Sequence, residues 1–86
     1  MMMETEVLPT YQNVVFSNFR FPMIVVFDHP IDCPTKFVAR LFDSNVPTKY
    51  ATVADNLDEL RSQLPLSFNR LDRHTSDDPT IVEVWI

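Results

Sequence analysis

Asp28-His29 and Asp32-Cys33 put four side chains able to ligate a metal within six residues. Two chemistries use such residues: a zinc site, or a cysteine nucleophile activated by a neighbouring histidine. Pro30 and Pro34 mark the stretch as a loop. Neighbours in such a loop seldom converge on one ion, and the spacing matches none of the usual zinc patterns. The favoured reading of Asp28, His29, Asp32 and Cys33 is therefore a turn with Asx-type hydrogen bonds and a small buried thiol. No metal, cofactor or catalytic residue is assigned from it.

Three other groups invite a chemical reading. His74 lies among Asp72, Asp77 and Asp78, a set that reads as a solvated acidic loop because the glycine and terminal glutamate of an EF-hand are missing. Asp55, Asp58 and Glu59 resemble paired catalytic carboxylates, but helix capping accounts for them. Arg61, Arg70 and Arg73 would suit an anion, and pairing with Asp72, Asp77 and Asp78 on the surface is the favoured alternative. Trp85, close to the end of the sequence, reads equally as an interface anchor or as core.

Composition removes whole classes of activity. The 86 residues contain no glycine. A Walker phosphate loop and a dinucleotide fingerprint need glycine where backbone approaches phosphate, and a nucleophile elbow needs it at a sharp turn. Turns with positive φ must then use Asn or Asp, and Asn18, Asn45, Asn56 and Asn69 are the candidates. The net charge is −5. It repels phosphate backbones, so nucleic acid is not an expected partner. Cys33 is the single cysteine, which leaves no intramolecular disulfide. No apolar run is long enough to span a membrane, and residues 1–6 lack the pattern of a signal peptide. A cytoplasmic location follows as the expectation.

The elements that would position these residues are short. Residues 1–22 read as a loose N-terminal tail or arm, and residues 23–86 as one domain. Met23–Phe27 is a continuous apolar run, expected as a strand buried on both faces. Residues 37–42 alternate, with Phe37, Ala39 and Leu41 on one side and Val38, Arg40 and Phe42 on the other. Residues 43–48 form a turn cluster, and residues 49–54 complete a hairpin. Asn56-Leu57-Asp58-Glu59 has the form of a capping box, followed by a Leu57, Leu60, Leu64 stripe that Pro65 ends. Residues 72–80 read as a polar loop. Residues 81–86 form a last strand, with Ile81, Glu83 and Trp85 expected on one side. The fold class is α+β: about four mostly antiparallel strands, in the order β-β-β-α-β, with one short helix packed on one face. A domain of this size has a stability of about 3–8 kcal/mol.

That order of elements, with the segment Ala54-Asp55-Asn56-Leu57-Asp58-Glu59-Leu60 at the strand-to-helix junction, resembles the double-stranded-RNA-binding-like half-fold of HicB-type antitoxins. The resemblance implies an architecture and transfers no function. Function is expected from what remains: a small protein-interaction or regulatory module without catalytic activity. Val38, Phe42, Ile81 and Trp85 are its candidate interface, because a sheet covered on one side leaves an apolar face on the other. The partner would be another protein or a second copy of the chain, through an edge strand or the Trp85 face. Two alternatives are an acidic mimic of nucleic acid that inhibits a DNA- or RNA-binding protein and, below it, an enzyme using the Asp28–Cys33 turn.

Overall fold

The computed structural model describes residues 5–31, 33–72 and 79–86. It contains six strands, β1 (Glu6–Val7), β2 (Pro22–Asp28), β3 (Phe37–Asp43), β4 (Val46–Ala54), β5 (Arg70–Asp72) and β6 (Ile81–Trp85), and one helix, α1 (Leu57–Ser62). All six strands form one sheet in the order β1-β4-β3-β2-β6-β5. The four strands read from the sequence are its centre, and β1 and β5 are the short edges that the sequence pattern did not separate from loop. β1 runs parallel to β4, while the other pairings are antiparallel. The class is thus a small mixed α+β fold, with a wider sheet than expected. No helix among the described residues is long and apolar enough to cross a membrane.

The turn between β3 and β4 is tighter than its composition suggests. Asp43 pairs with Val46, leaving Ser44 and Asn45 as a two-residue loop with φ of 52° and 68°. Positive φ at both central residues is what a type I′ hairpin demands, and its twist matches the flanking strands. Asn45 takes this role as expected, Ser44 takes it unannounced, and His29 is the third such residue with φ of 47°. Asn18, Asn56 and Asn69 are not among these positive-φ residues.

Asn56 caps α1 by accepting a hydrogen bond from the Glu59 amide at 2.8 Å. The helix closes at Ser62, earlier than Pro65 requires, because Gln63 turns its amide back to the Leu60 and Arg61 carbonyls. A helix this short cannot persist unpacked. Its leucine stripe supplies the packing: Leu60 and Leu64 are buried and Leu57 is half-buried against Ile24, Val26, Ala39, Leu41 and Ala54. We expect Asn56→Ala to cost about 1 kcal/mol, since it orphans the Glu59 amide. A urea titration followed by circular dichroism measures this.

The arm of residues 1–22 is laid along the domain wherever it is described. Glu6 and Val7 pair with Tyr50 and Ala51. The Tyr11 ring is fully buried in the main core cluster, with its Oη 2.9 Å from the Ala39 carbonyl and 3.1 Å from that of Tyr50. The Tyr11 amide donates to the Gln63 carbonyl at 2.7 Å, and the Gln12 side-chain amide to that of Ser62 at 2.6 Å. The last carbonyls of α1, orphaned by the helix end, thus find their donors in the arm. Beyond them a 3-10 turn at Phe16–Asn18 sets Phe16 against Tyr11, Phe19 and Phe68.

The covered face of the sheet therefore carries α1 and the arm. The other face bears no layer of secondary structure among the described residues.

Candidate functional site

The described residues of the Asp28–Cys33 turn are Asp28, His29 and Cys33, with Pro30 and Ile31 between them. Asp28 and His29 pair with each other through Oδ1 and Nδ1, both exposed, and the His29 ring stands edge-on to Phe37. The loop is closed by the His29 amide on the Lys36 carbonyl at 3.1 Å and the Cys33 amide on that of Pro30 at 2.9 Å. Cys33 is half-buried and lines a hollow on the outer face of the sheet. Asp32 lies outside the described residues, as do His74, Arg73, Asp77 and Asp78. Among the described residues no three His, Cys, Asp or Glu side chains form a group able to hold a metal ion.

The charged residues near α1 are engaged structurally. Asp55 is paired with Lys36, and Asp58 lies 3.9 Å from Arg61. Arg61 holds Glu83 through Nε at 3.2 Å and Nη2 at 2.6 Å, and Trp85 Nε1 donates to the same carboxylate at 2.7 Å. Glu83 is only 2% exposed. Burial alone would push its carboxyl pKa up. The hydrogen bonds from Arg61 and Trp85, with the charges of Arg61 and Arg70, outweigh burial and leave it below the usual carboxylate value. The same hydrogen bond raises the Arg61 pKa. Such a pair clamps α1 to β6. It offers no open position for a substrate.

The four candidate interface residues divide between the two faces. Trp85 pairs with Ile24 and packs against the core, so it belongs to the covered face. Val38 and Phe42 belong to the outer one. Ile81 joins them because the β2–β6 register shifts after Val26: Glu83 sits opposite Val26, and Ile81 opposite Phe27. One extra residue in β6, Val82, reverses the alternation and moves Ile81 away from the side of Glu83 and Trp85.

Register then fills in the outer face. Met23, Val25 and Phe27 of β2 lie beside Phe42, Arg40 and Val38 of β3. Ala51 and Val53 of β4 continue it on one side, and Val84, Ile81 and Leu71 on the other. Val25, Val38 and Ala51 are screened by these neighbours, whereas Leu71 is 47% and Val7 57% exposed. A hollow of about 240 Å³ lies among Thr5, Val7, Cys33, Val38, Arg40 and Val53. The Arg40 guanidinium donates to the Thr48 carbonyl and to Thr5 Oγ1, both at 3.0 Å. The sequence reading missed most of this face. The signal was present in the alternation of Val53 and Val84, while Val25, buried on the outer side as Ile24 and Val26 are on the core side, fits the strand buried on both faces expected for Met23–Phe27.

A second hollow, about 390 Å³, opens between the arm and the segment after α1, lined by Val14, Phe16, Pro65 and Leu66 among others. Its titratable group, Tyr11, points its hydroxyl into the core instead. Burial raises the pKa of that hydroxyl, which stays neutral. Among the described residues no buried side-chain polar atom lacks a hydrogen-bond partner.

The site thus belongs to a small mixed sheet with a helix on one side and, on the other, a largely apolar surface that carries no layer of secondary structure among the described residues. No family model, curated protein or solved structure matches the chain.

Proposed function

We propose that this protein is a non-catalytic interaction module that docks another protein on the outer face of its sheet. One observation carries the reading: around Arg40, the outer sides of β2, β3, β4 and β6 present apolar residues across four adjacent strands, with no layer of secondary structure over them among the described residues. Contiguous apolar surface on a small domain marks a contact site, because its exposure costs free energy that docking recovers. The acidic-mimic reading gains less support. Glu83 is buried under Arg61, Asp55 is paired with Lys36, and Glu6 is within 3.8 Å of Lys49. Asp43 is occupied by the Phe21 amide at 2.9 Å. An ordered row of free carboxylates would serve a mimic better.

The test is affinity capture from the source cell with the wild type and with a Phe42→Asp/Val53→Asp variant. Both substituted residues are half-buried on the outer face. Wild type should retain a specific protein that the variant, still folded by circular dichroism, releases. Equal retention by the two, or no protein retained by wild type, contradicts the proposal.

A further inference from the structure

We infer that β5 is a self-complementary edge through which two copies of the chain join into one continuous sheet. The inference does not rest on the outer-face reading. It comes from the hydrogen-bond phase of one edge strand and the order of its residues.

Asn69 and Ile86 exchange both backbone hydrogen bonds, at 2.7 and 3.0 Å. They form a hydrogen-bonded pair of the antiparallel ladder. Hydrogen-bonded and non-bonded pairs alternate along such a ladder. In the register Arg70↔Trp85, Leu71↔Val84, Asp72↔Glu83, Leu71 therefore bonds toward β6. The N–H and C=O groups of Arg70 and Asp72 point the other way, out of the sheet. Among the described residues β5 is the last strand on that side, so these four groups are presented as a template.

The sequence of the edge selects its occupant. A second β5 laid antiparallel about Leu71 puts Arg70 opposite Asp72 of the other copy, and Asp72 opposite its Arg70. Each is a hydrogen-bonded pair, giving four backbone bonds across the junction. Residue types of opposite charge thus occupy the paired register positions at both ends, and the arrangement is isologous, with one two-fold axis through the Leu71 pair. Leu71 itself falls at a non-bonded position, where side chains approach most closely. It is 47% exposed on the outer face. The pairing thus joins the two outer faces across Leu71, flanked by Val84 of each copy. Charged residues on a short edge normally repel foreign strands. The order Arg-Leu-Asp does so while remaining complementary to itself.

The experiment is sedimentation equilibrium on the full chain up to about 1 mM, a range suited to a weak, three-residue junction. Wild type should approach twice 10.0 kDa as concentration rises. Arg70→Asp and Asp72→Arg should each weaken self-association at least tenfold. An equimolar mixture of the two should restore it, because each mixed pair again opposes Asp to Arg. A wild type that stays at 10.0 kDa overturns the inference. So does a variant that associates like wild type, or a mixture that fails to associate. Amide exchange of the wild type is a second readout that needs no substitution. The outward amides of Arg70 and Asp72 should slow with concentration, and concentration-independent exchange there contradicts the pairing.

Discussion

Replacing Arg61 by alanine should remove about 3–5 kcal/mol of stability, most of what a domain of this size holds. The cause is Glu83, which is 2% exposed and keeps its charge in the core through Arg61 and Trp85. Without the guanidinium a carboxylate is left buried and unpaired. The loss should shrink when Glu83 is neutralised as well. In an Arg61→Met/Glu83→Gln variant the new amide oxygen still accepts from Trp85, and no charge is stranded. The pH dependence carries the same signature. In the wild type the Glu83 pKa lies below 4.5, so the pair's contribution is present above about pH 4.5 and is lost as the pH falls through the lowered value. In Arg61→Ala burial, the largest influence on that carboxyl, is opposed only by the Trp85 hydrogen bond and the Arg70 charge, and the pKa rises. The variant then loses stability as the pH rises, and its deficit against wild type is larger at pH 7 than at pH 4. Urea midpoints at the two pH values measure the difference. An equal deficit at both contradicts the clamp.

Tyr11→Ala should cost a similar amount, about 3–5 kcal/mol, as for other buried aromatics. The ring is fully buried among Ile24, Leu41, Leu60 and Leu64, and its hydroxyl serves the Ala39 and Tyr50 carbonyls. Tyr11→Phe isolates the hydroxyl and should cost only about 1 kcal/mol. The ratio is informative. A residue in an arm that merely brushes the domain would show small losses in both variants. Differential scanning calorimetry of the pair distinguishes the two, and a Tyr11→Ala melt superimposable on wild type would remove the arm from the core.

The central strands and the helix were legible for physical reasons. Met23–Phe27 and residues 37–42 carry patterns of period two or continuous β-branched runs, and the Asn56 cap with the Leu57, Leu60, Leu64 stripe is local chemistry. What escaped the sequence is pairing over distance. Glu6–Val7 and Arg70–Asp72 are too short to carry a period, and they become strands because β4 and β6 offer them an edge. Tyr11 sits in a polar stretch, and only tertiary contact shows that it is core. The shift beyond Val26 cannot be read from alternation, since one extra residue in β6 reverses it. That single residue separates Ile81 from Trp85 in the candidate interface. Alternation places Glu83 only on the side of Ile81 and Trp85 and does not reveal that it is core. Its burial depends on Arg61, twenty-two positions earlier.

The two sides of the sheet differ: one is sealed by α1 and the arm, and the other carries no layer of secondary structure among the described residues. Solvent paramagnetic relaxation of methyl groups measures that difference in the isolated protein. The methyls of Val53, Val84 and Leu71 should relax strongly with a soluble gadolinium probe, while those of Leu60, Leu64 and Ile24 should be nearly untouched. Equal protection of the two sets would mean that the outer face is already covered, and the proposed docking surface would not exist.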